Sequence, residues 1–187
     1  MKIIVCENYE EMSKEGAKII ADLLKTKPQC VLGLATGSTP VGMYKELAAM
    51  NKAGEISFKD VTSYNLDEYY PLAPTHDQSY RYFMNTNLFD HVNIDKTRTF
   101  VPNGLEADSD KACSEYNEII RKQGGVDLQL LGLGHNGHIG FNEPGAAFEK
   151  ETHCVDLTES TIEANKRFFE SEDDVPRQAY TMGIKNI

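Results

Sequence analysis

Hydrophobic residues along the chain form two alternating patterns, short apolar runs and longer amphipathic stretches. Several of the short runs are apolar at nearly every position, as expected for strands that are covered on both faces. The runs lie at 2–6, 30–35, 61–66, 97–102, 126–133, 152–157 and 178–182. Strands that alternate with helical stretches predict an α/β fold with an open, mainly parallel sheet and helices on both faces.

The helix predictions rest on start and stop signals. Asn8 and Glu11 have the spacing of a capping box in which Asn replaces Ser or Thr. Pro40 fits the first position of a helix that we expect to end near Lys52. The apolar stripe of the first helix comprises Met12, Gly16, Ile19, Ile20, Leu23 and Leu24. Further helices are predicted over 79–89, 109–123 and 159–169.

The chain of 187 residues is long enough for one domain with a substantial core. It contains no repeat, low-complexity tract or linker that would mark a boundary. We therefore predict a single α/β domain over 1–187. The last predicted strand is followed by a few residues and by no covering helix. We expect the domain to lack its C-terminal strand and helices in this sequence.

Charge and apolar content limit the classes of partner. The chain carries 19 Lys and Arg against 29 Asp and Glu, a formal net charge of −10, whereas nucleic acids and anionic membranes attract clustered Lys and Arg. No apolar run approaches the ~20 residues of a membrane span, and the first run is too short for a signal peptide. Four scattered cysteines are typical of reduced thiols. We expect a cytoplasmic protein with no nucleic-acid or membrane partner, and a small anionic substrate is compatible with this charge.

Three polar segments follow predicted strands, where open α/β sheets bind ligands. The first comprises Thr36, Gly37, Ser38 and Thr39, between a buried strand and a helix. Hydroxyl groups, a glycine that permits close backbone approach and the N–H groups of a helix start form a natural phosphate site. An ordinary strand-to-helix turn with Ser and Thr as caps explains the same residues equally well. The segment alone leaves both interpretations open.

The second segment places Asp67 and Glu68 immediately after the run over 61–66. A partly buried carboxyl group at that position has a pKa raised toward the range of a general base. The alternative is a pair of solvated acidic residues at a strand end. The segment alone favours that alternative.

The third segment, 132–145, is rich in glycine and carries His135, Asn136, His138 and Glu143. Glycine at this density indicates backbone that bends sharply or lies against a ligand. His138 and Glu143 fit an acid/base pair in which the carboxylate fixes the histidine tautomer, and we favour this catalytic interpretation. A structural turn with incidental histidines and a metal site that uses His135 and His138 are the alternatives.

Arg167 belongs to a basic and aromatic stretch, 165–169, at the end of an acidic predicted helix. A planar guanidinium group suits a phosphate ligand. A basic residue in the last helical turn also complements the helix dipole. Both interpretations stay open for Arg167.

Taken together, the segments resemble the glucosamine-6-phosphate deaminase (glucosamine-6-phosphate isomerase) family in order and spacing. The resemblance is carried by 34–40 (LATGSTP), 65–69 (NLDEY), 137–144 (GHIGFNEP), 52–58 and 164–169. It implies a Rossmann-like fold of the sugar-phosphate isomerase and deaminase type. It also implies aldose–ketose isomerisation and deamination in amino-sugar catabolism, in which glucosamine 6-phosphate and water give fructose 6-phosphate and ammonium.

The resemblance further implies a role for each site residue. The catalytic residues would be Asp67, Asn136, His138 and Glu143. His138, held by Glu143, would assist opening of the sugar ring, and Asp67 would move the C2 proton toward C1 through an enolamine. The 6-phosphate would be bound by Thr36, Gly37, Ser38, Thr39 and Arg167. No metal or organic cofactor is implied, because the substrate's own carbonyl and amine delocalise the developing charge.

Departures from the larger, hexameric members of the family indicate a short, non-allosteric bacterial type. Those members have Asp where this chain has Asn136, so His138 is expected to depend more on Glu143. His153 and Val155 stand where activated members carry basic residues, which argues against regulation by N-acetylglucosamine 6-phosphate. We expect a monomer or a weak homo-oligomer. The family continues beyond this length with a phosphate-contacting Lys.

Two other functions are compatible with the same scaffold. A 6-phosphogluconolactonase-like sugar-phosphate hydrolase would need no base at C2. A non-catalytic sugar-phosphate-binding regulator would keep the loop over 36–40 but would need neither Asp67 nor Glu143. The presence of both residues weighs against the regulator.

Overall fold

The computed structural model contains five α-helices and seven strands in the part of the chain that it describes, residues 1–134, 136–145, 148 and 150–187. The helices of this part are α1 (Tyr9–Thr26), α2 (Val41–Lys52), α3 (Tyr80–Asn87), α4 (Ser109–Lys122) and α5 (Glu159–Asn165). Its strands are β1 (Val31–Leu34), β2 (Thr62–Asn65), β3 (Asp67–Tyr70), β4 (Thr99–Phe100), β5 (Leu128–Gln129), β6 (His153–Asp156) and β7 (Gln178–Thr181). None of these helices has the length and apolarity to cross a membrane.

A four-stranded parallel sheet forms the centre of the fold. Its strand order is β4-β2-β1-β5, and each pairing within it is parallel. Every residue of β1 is buried. Leu32 and Leu34 belong to the core formed with α1 and α2, whereas Val31 belongs to the core formed with α4. The predicted parallel α/β fold with helices on both faces is confirmed.

The second sheet was not expected from the sequence. It contains three antiparallel strands in the order β3-β7-β6. Only Leu66 separates the end of β2 from the start of β3 at Asp67, and the Leu66 carbonyl accepts a hydrogen bond from the N–H of Met182 at 2.7 Å. One extended segment therefore passes from the parallel sheet to the antiparallel one, and Asp67 lies at the junction.

Two local predictions are wrong for reasons of packing. Residues 2–6 do not form a strand, because no strand of the described chain pairs with them. In α1, Met12 and Ile19 of the predicted stripe are exposed. The buried face comprises Ser13, Ala17, Ile20, Ala21 and Leu24, so Ile20 and Leu24 of the predicted stripe are confirmed. Small residues face α2 because the helices approach closely, and a Cβ atom on Gly16 would lie 3.0 Å from Sδ of Met43.

Two predicted elements are shorter than their sequence patterns. β5 covers only Leu128–Gln129 of the apolar run over 126–133. The helix predicted over 159–169 ends at Asn165 and continues as a 3₁₀ turn, Lys166–Phe168. The turn separates Arg167 from the regular part of α5.

Glu68 is a buried carboxyl group that anchors α3 to β3. It is 2% exposed. Its oxygens accept four hydrogen bonds at 2.8–3.0 Å, from the N–H groups of Tyr69, Tyr80 and Arg81 and from the hydroxyl group of Ser79. Ser79 is the N-cap of α3, so Glu68 binds N–H groups that a helix start leaves unpaired.

Replacement of Glu68 by Ala is expected to lower the free energy of unfolding by about 2–4 kcal/mol, because buried donors lose their acceptor and a cavity opens. Glu118→Ala is the matched control. The Glu118 side chain is 61% exposed and lies 3.7 Å from Lys122, so we expect its loss to cost less than about 0.5 kcal/mol. Urea denaturation measures both variants. Equal effects would show that Glu68 does not anchor α3.

Candidate active site

The three polar segments singled out in the sequence meet at one cleft. The cleft has a volume of about 330 Å³ and lies beyond the carboxyl ends of β1 and β2. Thr36 and Thr39 of the first segment, Asp67 of the second and His138 of the third all line it. Open α/β sheets place their ligands at this edge.

The loop after β1 turns at Gly37, whose φ of 98° favours glycine. Thr36 and Thr39 face the cleft, and Gly37 and Ser38 form the turn between them. The sequence predicts Pro40 as the first residue of α2, but in the structure Pro40 is the N-cap of that helix. It provides no side-chain cap. The first N–H group of α2, that of Val41, donates instead to the Ser38 carbonyl at 3.4 Å.

Tyr9 of α1 braces the same loop from outside. Its hydroxyl group donates a hydrogen bond to the Ser38 carbonyl at 3.0 Å and accepts one from the N–H of Gly42 at 2.8 Å. One side chain thus fixes the turn relative to the start of α2. Sequence patterns do not identify Tyr9, because it belongs to a different helix.

Asp67 faces the cleft and is 7% exposed. Burial and the adjacent charge of Glu68 raise the pKa of Asp67 from 3.8 to about 8, and no hydrogen bond from the described residues offsets these effects. A Cβ atom on Gly140 would lie 3.3 Å from Oδ2 of Asp67, so the glycine-rich loop passes close to the carboxyl group. A carboxyl group with this pKa accepts and releases a proton near neutral pH.

The side-chain amide of Asn136 joins Glu143 to His138. Its Nδ2 donates to Oε2 of Glu143 at 2.6 Å, and its Oδ1 accepts from the backbone N–H of His138 at 3.1 Å. A carboxylate only accepts and a backbone N–H only donates, so both ends of the amide are assigned. Nδ1 of His138 lies 2.7 Å from the same Oδ1 and must carry the proton. Nε2 is therefore the basic nitrogen of the neutral imidazole.

The direct contact predicted between His138 and Glu143 is corrected by this arrangement. Glu143 reaches the imidazole through Asn136. The prediction of a direct contact did not consider that a side-chain amide offers both a donor and an acceptor. Such an amide can therefore lie between a carboxylate and a protonated ring nitrogen.

The loop that carries His138 is held by a glycine and by a buried amide. A Cβ atom on Gly134 would lie 2.2 Å from Cε1 of His138, so a side chain there would displace the ring. Asn142 is 6% exposed and donates from Nδ2 to the Met182 carbonyl at 2.8 Å. These contacts attach the loop to the end of β7.

Arg167 is exposed on the 3₁₀ turn after α5 and does not line the cleft. The structure therefore brings together the loop over 36–39, Asp67 and His138 but leaves Arg167 outside them. The metal alternative cannot be placed, because His135 lies outside the described residues. Among the described residues, no three His, Cys, Asp or Glu side chains are grouped so that they could hold a metal ion.

Tyr80 and Phe141 line the cleft, although the sequence does not single them out. Their rings are parallel within 7° at a centroid distance of 6.4 Å. Phe141 was identifiable as an apolar residue in an otherwise polar loop. Tyr80 carries no such signal, because it reaches the cleft only through the docking of α3 on Glu68.

Comparison with known proteins gives one consistent family. A family model described as glucosamine-6-phosphate isomerases/6-phosphogluconolactonase matches residues 7–168. A glucosamine-6-phosphate deaminase of Clostridium perfringens (strain 13 / Type A) is 64% identical over 187 residues, 100% of this chain and 77% of that protein. A solved monomeric glucosamine-6-phosphate deaminase is similar with a TM-score of 0.95 and 46% identity, over 100% of this chain and 78% of that chain. A 6-phosphogluconolactonase from Thermotoga maritima has a TM-score of 0.72 and 19% identity over 97% of this chain and 76% of that chain, which shows a shared fold.

Asp67→Asn is expected to stabilise the folded protein by about 1–3 kcal/mol at about pH 8 and to change its stability little at about pH 4. Folded Asp67 keeps its proton up to about pH 8, whereas the unfolded residue ionises near 3.8. The stability that protonated Asp67 provides is thus complete below the unfolded pKa and is lost as the pH rises through the folded pKa. Asn does not titrate and avoids this loss. Urea denaturation at the two pH values measures the difference.

Asp127→Asn is a control of opposite sign. The Lys27 ammonium at 2.6 Å and the N–H of Val31 at 2.8 Å hold the pKa of Asp127 below its usual value. Its contribution is present above the unfolded pKa and is lost as the pH falls, so Asp127→Asn is expected to be less stable than the wild type at neutral pH. A destabilised Asp67→Asn at high pH would contradict the assigned pKa shift.

Proposed function

This chain belongs to the family of glucosamine-6-phosphate isomerases and 6-phosphogluconolactonases, and we propose that it is a glucosamine-6-phosphate deaminase of amino-sugar catabolism. It converts glucosamine 6-phosphate and water to fructose 6-phosphate and ammonium. The C. perfringens deaminase is 64% identical over the whole chain, whereas the T. maritima lactonase is 19% identical. The convergence of Asp67, His138 and the loop over 36–39 on one cleft is the observation that carries the proposal.

The 6-phosphate of the substrate binds at the loop between β1 and α2. Thr36, Ser38 and Thr39 offer hydroxyl groups, and Gly37 allows the backbone to approach the phosphate. The start of α2 adds a partial positive charge. Arg167 lies outside the cleft in the described structure, so its contact with the phosphate requires a movement of the turn that carries it.

His138 assists opening of the sugar ring. Its Nε2 takes the proton of the C1 hydroxyl group and returns a proton to the ring oxygen, which leaves the open-chain aldehyde. Asn136 holds Nδ1–H through its Oδ1 at 2.7 Å. Glu143 lies on the far side of the amide and favours the positive charge that the imidazole gains.

Asp67 then moves a proton between two neighbouring carbons. Its carboxylate removes the C2 proton of the open-chain sugar, and the electron pair forms a C1–C2 double bond. The C1 carbonyl π bond opens, and its oxygen takes the proton that the ammonium group on C2 releases, which gives an enolamine. Return of the proton to C1 gives an imine at C2, to which water adds and from which ammonium leaves. The raised pKa of Asp67 matches it to both halves of this transfer.

We propose that the protein acts as one α/β domain, as a monomer, in the cytoplasm and without a metal or organic cofactor. The solved deaminase to which it is similar is described as monomeric. All four cysteines are free thiols, which agrees with a reducing compartment. The substrate's own carbonyl and amine delocalise the charge that develops in the enolamine, so the chemistry requires no added electron sink.

Purified protein is expected to release ammonium and to form fructose 6-phosphate from glucosamine 6-phosphate, and light scattering is expected to give the mass of a monomer. Asp67→Asn is expected to lower kcat by at least about 1000-fold, because general-base transfer at C2 is lost, while KM changes little. Coupled assays for both products measure the turnover.

Hydrolysis of 6-phosphogluconolactone serves as the comparison reaction. Turnover of the lactone that survives in Asp67→Asn, with none of glucosamine 6-phosphate in the wild type, would reject the deaminase and favour a lactonase. Binding without turnover of either substrate would favour a regulator.

Asn136→Ala is expected to lower kcat/KM by about 100-fold, because His138 loses the acceptor that fixes its tautomer. Asn136→Asp keeps that acceptor, and we expect it to retain activity within about tenfold of the wild type. Asn103→Ala is the control, since Asn103 is exposed and outside the cleft. Equal activity of Asn136→Ala and Asn103→Ala would show that the amide does not act through His138.

A further inference from the structure

The hydroxyl group of Tyr69 lies where the cleft wall meets α5. Tyr69 is 7% exposed on β3. Its oxygen accepts one hydrogen bond from the hydroxyl group of Tyr80 at 3.0 Å and another from Nδ2 of Asn165 at 3.1 Å. These bonds use both acceptor sites of the oxygen. One buried atom therefore joins the wall of the cleft to the last residue of α5.

On the cleft side, the contact continues toward the phosphate loop. Tyr80 and Thr36 both line the cleft, and the Thr36 side chain interacts with the Tyr80 hydroxyl group. The ring of Tyr80 lies 4.7 Å from that of Tyr69, and the ring of Phe141 lies 5.9 Å from it. The Tyr69 side chain is held rigidly by these neighbours.

On the outer side, the segment that carries Arg167 is attached at two points. Asn165 precedes Arg167 by two residues and is bound to Tyr69. Phe169 follows Arg167 by two residues, packs in the same apolar cluster as Tyr69 and stacks on His76 at 5.5 Å. The possible positions of Arg167 are therefore limited by attachments on both sides.

We infer that Tyr69 is a positioning residue for the phosphate end of the substrate, which acts through Asn165 on Arg167. The inference rests on the proposed function, in which Arg167 binds the 6-phosphate. In the proposed reaction, Tyr69 neither contacts the substrate nor takes part in the proton transfer by Asp67. It holds the last residue of α5 against the cleft wall, so that Arg167 reaches the phosphate through a movement of the turn over 166–168 alone.

A purely structural role for Tyr69 would have different consequences. Loss of packing would lower the stability of the fold and leave KM unchanged in the remaining folded protein. Loss of positioning raises KM while kcat stays nearly constant, because the phosphate lies far from the reacting carbons and contributes to the ground state and the transition state alike.

The test is a double-mutant cycle on Tyr69 and Arg167. Tyr69→Phe removes the acceptor oxygen and keeps the ring, and we expect KM for glucosamine 6-phosphate to rise about fivefold, the scale of one hydrogen bond. Arg167→Ala is expected to raise KM about 30-fold. The double variant is expected to match Arg167→Ala, because Tyr69 acts only through that residue. Tyr70→Phe, on the neighbouring position of β3 with its ring packed on Tyr180, is the matched control and should leave KM unchanged.

A double variant whose KM rises by the product of the two single-variant factors would overturn the inference. A lower kcat with an unchanged KM in Tyr69→Phe would also overturn it. Amide hydrogen exchange of peptides over 159–169, measured without substrate, separates this result from the fate of the proposed function. We expect faster exchange in Tyr69→Phe than in Tyr70→Phe. Unchanged exchange overturns the anchoring role. Faster exchange in a protein whose wild type does not deaminate glucosamine 6-phosphate supports the anchor and rejects the proposed function.

Discussion

The burial of two adjacent carboxyl groups at the junction of the sheets is the constraint on which the site depends. Asp67 and Glu68 are consecutive on β3, so their side chains point to opposite sides of the strand. Glu68 faces α3, where four hydrogen bonds replace water. Asp67 faces the cleft, where no hydrogen bond from the described residues replaces water, and its pKa rises to about 8. The same strand thus gives one carboxyl group four hydrogen-bond donors and leaves its neighbour with a pKa near neutral.

Around this pair, the histidine is activated without an additional negative charge in the cleft. Asn136 is neutral, yet it connects His138 to Glu143 through one donor and one acceptor. A carboxylate in its place would bring a further negative charge toward a phosphate dianion, in a chain whose formal net charge is already −10. In the proposed function, the phosphate is bound instead by the hydroxyl groups of the loop over 36–39 and by the partial positive charge at the start of α2.

The sequence was most informative where a function needs contiguous residues. The run over 30–35 predicted β1, and the loop over 36–39 and the segment over 132–145 were identified because glycine and polar residues follow strands. Contacts between distant segments were not predictable. Tertiary packing determines three such contacts. They are the pairing of β3, β7 and β6, the hydrogen bonds from the first N–H groups of α3 to Glu68, and the hydrogen bond from Asn165 to Tyr69. Hydrophobic periodicity carries no information about such partners.

The raised pKa of Asp67 also fits the order of events in the proposed reaction. In the empty cleft near neutral pH the group is largely protonated, since its pKa is about 8. The substrate carries an amino group on C2 that is protonated in solution, and a positive charge beside a carboxyl group favours the ionised form. Substrate binding therefore generates the base next to the carbon whose proton it removes. An exposed aspartate with a pKa near 3.8 would be ionised at all times, and it would bind the ammonium group without being basic enough to deprotonate C2 efficiently.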